Sequence, residues 1–173
     1  MQFSGQEVFF DKDELIVSKT DPQGRLTYAN RTFLEIAGYT EDEVIGNQHN
    51  MIRNPNMPRA IFELLWSTLK RGEEIFAYVV NATKSGDHYW VIAHVTPSIV
   101  NGTIIGFHST RRVPNPQIIR GTIIPLYDRL KNLEDSNSSK KSGLQQSVDA
   151  LKAFLAEKGL TYDEFISNLE NGK

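Results

Sequence analysis

The run Gln48-His49-Asn50-Met51-Ile52-Arg53-Asn54-Pro55-Asn56-Met57-Pro58 concentrates more recognition chemistry than any other stretch of the chain. Two prolines keep it from being a regular helix, while Arg53 and three asparagines supply a fixed cation and several amide donors and acceptors. Such a loop is suited to gripping a polar group. Arg53 offers a planar fork of donors that fits a phosphate or a ring carbonyl. Asn81 stands beside Val79 and Val80 in a β-patterned stretch, where an asparagine is a poor strand former and wants a hydrogen-bond partner. Asn30 precedes a helical stretch, so it is either a helix cap or a ligand contact. Trp66 could stack on an aromatic ring, although its place on an apolar helical stripe makes core packing the default. The four histidines are His49, His88, His94 and His108; no motif supports any of them as a haem ligand.

The elements that must position these residues follow from periodicity and turn chemistry. Leu15-Ile16-Val17-Ser18 and Leu26-Thr27-Tyr28-Ala29 form a hairpin around the turn Asp21-Pro22-Gln23-Gly24. A helix with Phe33, Ile36 and Ala37 on one face ends at Gly38, and Thr40 to Glu43 is a capping box that opens a second short helix. Pro58 suits the first turn of a helix carrying Ile61, Phe62, Leu65, Trp66 and Leu69 as far as Gly72. From Ile75 the pattern turns to β: Ile75 to Thr83, His88 to Val100 and Thr103 to Val113, the last two joined by the type I′ signal Asn101-Gly102. Past Pro114 an amphipathic helix with a break near Gly121 to Pro125 is expected, then a linker over 136–143, then a helical hairpin over 144–173. The remaining divisions are an N-terminal cap over 1–14, a sensor-sized domain over 15–113 and a connecting helix over 114–135. Strands, then short helices, then strands make an α+β arrangement in which helices cover one face of the sheet.

Composition closes off several functions. The chain contains no cysteine, which removes disulfides, thiolate metal sites and cysteine nucleophiles. A formal net charge of -2 gives no reason to expect nucleic acid. No apolar run is long enough to span a bilayer and no signal-peptide pattern opens the chain, so a cytoplasmic location without membrane insertion is expected. At 173 residues there is room for one core with helical appendages, not for two enzymatic domains.

The loop from Gln48 to Pro58 resembles the His-Asn-Met-Val-Arg-His-Pro-Asp-Met-Pro signature of PAS domains of the aerotaxis-receptor type, which are flavin-binding sensors. Asp21 to Asn30, Gly38-Tyr39, Trp66 to Lys70 and Gly86 to Trp90 carry the same resemblance, which covers roughly residues 15 to 113. It implies a PAS fold: a five-stranded antiparallel sheet with short helices on one face, followed here by C-terminal helices. It also implies non-covalent FAD, held by Arg53, Asn81, Asn30, Trp66 and His49, and by Asn54 and Asn56 where the family carries a histidine and an aspartate. The two asparagines keep hydrogen bonds but lose charge, which weakens cofactor retention if they touch it. Ile75 stands where many flavin-binding relatives have a tryptophan.

The function so implied is a cytoplasmic sensor of redox or energy state that signals to a methyl-accepting chemoreceptor-type protein, with homodimerisation open. A thiol adduct of the light-sensing kind is excluded for want of cysteine, so a flavin here must signal by redox change near Asn81. A cofactor-free interaction or dimerisation module and a haem gas sensor are the alternatives. No enzymatic activity is expected, because no acid–base pair, nucleophile or nicotinamide motif accompanies the flavin signature.

Overall fold

Alternating side chains build one sheet whose two faces do different work. In a computed structural model that describes residues 5–172, strands β1 (Ile16–Thr20), β2 (Leu26–Ala29), β3 (Ile75–Ala82), β4 (His88–Val100) and β5 (Thr103–Arg112) form a five-stranded sheet in the order β2-β1-β5-β4-β3. Every pairing is antiparallel. Because strand side chains alternate between faces, Ser18, Asn81, Ala93 and Arg111 point to the inner side, while Tyr78 and Trp90 point to the outer. The β4–β5 connection turns on Asn101 at φ 50 and Gly102 at φ 76, the left-handed pair that a type I′ turn requires. Of the N-terminal cap expected over 1–14, residues 1–4 lie outside the described residues; Gln6 and Val8 donate backbone N–H bonds to Asp87 Oδ1 (2.8 Å) and His88 O (2.7 Å).

The inner face is covered by α1 (Arg31–Ala37), α2 (Glu41–Val44), a 3₁₀ turn (His49–Ile52) and α3 (Arg59–Lys70). Asn30 begins this layer. Its Oδ1 accepts from Phe33 N and Val17 N, each at 3.0 Å, and its Nδ2 donates to Leu15 O at 2.7 Å. One side chain therefore caps α1 and staples it to β1. Ile61, Leu65 and Leu69 on α3 lie a helical turn apart and are all buried against the sheet.

After β5 the chain forms α4 (Pro116–Ile118), a π-helical turn (Ile119–Ile123) and α5 (Ile124–Asp135) in unbroken succession. The break expected near Pro125 is this π turn: the proline has no N–H to give, and widening the helix just before it absorbs the fault. Tyr127 of α5 donates its hydroxyl to Tyr78 O at 2.6 Å and packs on Trp90 at 6.1 Å, covering the outer face. Glu134 at the other end of α5 reaches α3 on the inner side. Helix α6 (Lys140–Lys158) begins inside the stretch expected to be linker, because Ser139 caps it and Gly143 packs against α5. Helix α7 (Tyr162–Glu170) opens with the expected capping box and returns to β3, where Tyr78 donates its hydroxyl to Glu170.

The double role of Asn30 has a measurable consequence. Asn30→Ala should lower the stability of the ligand-free protein by roughly 1–3 kcal/mol, read as a reduced urea midpoint. An unchanged midpoint would mean that α1 is not held to β1 by this side chain.

Candidate functional site

Between the inner sheet face, the opening loop and α3 lies a cavity of about 440 Å³. Its walls combine apolar surface from Leu65, Leu69, Val79, Val95 and Phe107 with a few polar groups from β1, β3 and β5. That is the composition of a small-molecule site, in which apolar walls supply burial and sparse polar atoms fix orientation. Trp66 stands at the mouth, 37 % exposed and edge-on to Phe107 with ring centroids 5.2 Å apart. Its default assignment to the core is therefore corrected: the indole is wall and not filler.

The loop is shaped locally. His49 to Ile52 makes the 3₁₀ turn, and the Arg53 backbone then bridges to Asn81 at the edge of β3. The Arg53 guanidinium lies over the Phe62 ring at 4.4 Å, at the exposed rim of the cavity. Burial lowers its pKa, Arg59 adds to that shift and Glu134 opposes it. Asn54 is buried, with Oδ1 accepting from Asn56 N at 3.0 Å in an Asx-type turn. This sets the bend that carries the chain through Pro55 into α3.

At the closed end sits a group that the loop signature does not contain. Arg111 of β5 is only 4 % exposed, and no carboxylate among the described residues lies within ion-pair distance of it. Its Nη2 donates to His49 Nε2 at 2.7 Å and to Ser18 Oγ at 3.1 Å. Its Nη1 has no partner among the described residues, and neither do Asn81 Nδ2, Thr20 Oγ1 or Ser109 Oγ, all on the cavity wall. Burial brings the guanidinium down to about 10, still charged at neutral pH. The same enclosure, with Arg111 beside it, holds His49 down to about 3, so the ring is neutral and its Nε2 is an acceptor. Buried Tyr89, opposite Asn81 in the β3–β4 ladder, is pushed up to about 12 and stays a phenol. A slot with apolar walls, a buried cation without a carboxylate partner among the described residues and several unsatisfied polar atoms suits a flat ligand with acceptors along one edge.

Of the residues singled out from sequence, the cavity brings together Arg53, Asn81, Trp66 and His49. Asn30, Asn54 and Asn56 are not on its wall: the Asn30 side chain caps α1, and the Asn54 side chain accepts the Asn56 backbone N–H in the loop turn. Arg111, Ser18, Thr20 and Ser109 escaped sequence analysis. The signal was there in β5, where Phe107, Ser109 and Arg111 recur at period two and so share a face with the pocket.

Comparison with known proteins follows the same outline. The family model described as PAS fold matches residues 26–111. The aerotaxis receptor of Escherichia coli is 42% identical over 129 residues, which is 75% of this chain and 25% of the receptor. The biofilm dispersion protein BdlA of Pseudomonas aeruginosa is 31% identical over 78 residues, 44% of this chain and 19% of that protein. The chain thus spans about a quarter or less of the length of these relatives. Among solved structures, the light-state blue-light photoreceptor Aureochrome1 LOV superposes with a TM-score of 0.56 at 20% identity, over 64% of this chain and 89% of that one, a likeness of fold.

The neutral, half-buried His49 makes stability pH-dependent. Its folded pKa, about 3, lies below the ordinary 6.5, so the unfolded chain binds the proton first. Stability is then lost as pH falls from 6.5 towards 3, by at most about 1.4 kcal/mol per pH unit from this residue. His49→Gln, which keeps an acceptor for Arg111, should flatten the melting temperature between pH 6.5 and 4 relative to wild type. Equal acid sensitivity in the two proteins would remove His49 as its source.

Proposed function

We propose, for a chain that belongs to the PAS family, that it is a sensor of redox or energy state holding FAD non-covalently in this cavity. The observation that carries the proposal is Arg111: a buried cation with a free Nη1, beside the unpartnered Asn81 Nδ2, in a slot otherwise walled by apolar and aromatic side chains. A cation without a counter-charge is costly to bury, and a ligand whose polar edge meets it offsets that cost. Arg111 and Asn81 would face the carbonyl and ring-nitrogen edge of an isoalloxazine. Trp66, Phe107 and Leu65 would line its faces, and Arg53 at the rim would meet the phosphates. Bound flavin supplies a centre whose charge depends on its redox state, and Arg111, Asn81 and the Ser18–His49 pair are the residues placed to respond.

The unsatisfied donors also favour an occupied pocket over the cofactor-free module. A haem reading is disfavoured because His49 has its Nε2 engaged by Arg111 and not open to an iron. The Ser18 hydroxyl and the His49 ring meet on the cavity wall at 3.1 Å, but Arg111 Nη2 occupies the same Nε2 at 2.7 Å and makes that nitrogen a poor base, which supports signalling over catalysis. Similarity to the aerotaxis receptor supports a cytoplasmic role in energy taxis, with a methyl-accepting chemoreceptor-type protein as the signalling partner. No described helix is long and apolar enough to cross a membrane.

Purified protein should be yellow with a two-band flavin absorption, or become so on adding FAD. A single intense haem band, or a colourless protein that FAD does not reconstitute, would overturn the assignment. Arg111→Met should weaken FAD binding by roughly ten- to hundredfold while leaving the melting temperature of the ligand-free protein unchanged or higher. Lost binding with parallel loss of apo stability would instead make Arg111 a structural residue.

A further inference from the structure

One side of the cavity is closed by a segment outside both the sheet and the loop. Leu144, in the second turn of α6, lines it next to Arg59, Phe62 and Glu63 of α3. A buried carboxylate helps to seat α6 there, beside the packing of Gly143 and Leu151. Glu134, in the last turn of α5, accepts through Oε2 from the Arg59 backbone N–H (3.0 Å) and from Arg59 Nε (3.1 Å), and through Oε1 from the Ala60 N–H (3.0 Å). Arg59 Nη1 then donates to Lys140 O, at the first residue of α6, at 2.9 Å.

A helix start leaves several N–H groups without partners, and α3 begins at Pro58, whose side chain has no acceptor. The cap therefore comes from a residue 75 positions away in sequence. Glu134 is 4 % exposed, so this is a buried carboxylate whose bonds are confined to one helix end. Gly143 permits the close approach of α6: a Cβ there would meet Glu134 O at 2.6 Å.

We propose that the α5–α6 hairpin is a seated cover of the ligand cavity and that Glu134 positions it, so that ligand binding and cover seating are one linked equilibrium carried by the first turn of α3. The proposal rests on the cavity being a ligand site. Glu134 does not line the cavity; it acts through Arg59 and Ala60, whose helix supplies cavity wall. Linkage is reciprocal: a ligand that orders the first turn of α3 stabilises the hairpin, and loosening the hairpin weakens the ligand by the same factor. The tail then reports occupancy of the cavity to whatever contacts it.

The test uses the full chain, FAD as probe, and two variants, Glu134→Gln and Leu144→Ala, with amide hydrogen exchange beside FAD titration. Glu134→Gln should weaken FAD binding by roughly five- to hundredfold and should speed exchange at Arg59, Ala60 and residues 140–150 even without FAD. Leu144→Ala should weaken binding by roughly three- to tenfold while exchange at Arg59 and Ala60 stays as in wild type, which separates wall contact from clamp. In wild type, FAD should slow exchange in α6. A folded Glu134→Gln with wild-type affinity, or α6 exchange indifferent to FAD, would overturn the proposal. Should Glu134→Gln not fold, the FAD dependence of α6 exchange in wild type and Leu144→Ala decides alone. Should wild type bind no FAD, the cofactor assignment fails, and unchanged ligand-free exchange in Glu134→Gln would overturn the clamp separately.

Discussion

A cation buried without a carboxylate is the constraint around which the inner half of this protein is arranged. Arg111 is held by Ser18 of β1 and His49 of the loop, so three segments far apart in sequence converge on one guanidinium. Desolvating such a group costs several kcal/mol after relaxation, and two neutral partners recover only part of it. The arrangement makes sense when the remaining donor faces a ligand. It also bears on the neutrality of His49: enclosure disfavours the charged ring first, and a second positive charge beside Arg111 would be repelled, so the ring offers Arg111 a lone pair.

The same economy appears at the other end of α3. Pro58 bends the chain into the helix but cannot cap it, and Glu134 supplies the missing acceptor from α5. Two buried charges thus bracket the cavity without meeting. Arg111 marks its closed end, and Glu134 ties its mouth-side helix to the C-terminal hairpin. Between them Arg53 sits at the rim, its pKa lowered by burial and raised by Glu134, in reach of both solvent and the slot.

Much of the fold was legible in the sequence because its signals are local. Period-two alternation marked the strands, Asn101-Gly102 fixed the β4–β5 turn, and the capping box at Thr161 opened α7. What escaped depends on contacts that no local pattern encodes. Arg111 looks like any strand-end arginine until β1 and the loop enclose it. Trp66 fits an apolar stripe, and only its place at the cavity mouth, edge-on to Phe107, makes it wall. Lys140 to Gly143 has linker composition, yet packing of Gly143 on Glu134 draws it into α6. The asparagines at 54 and 56 stood out because a family pattern has charge there, whereas the Asn54 side chain shapes a turn by accepting the Asn56 backbone N–H.

The central claim is that Arg111 meets the polar edge of a bound flavin. Nitrogen-15 NMR of the arginine side chains during FAD titration observes that contact without mutation. The account predicts that the Arg111 Nη1 protons shift and become protected in step with one-to-one binding. FAD binding that perturbs only Arg53 and Arg59, leaving Arg111 unchanged, would contradict it.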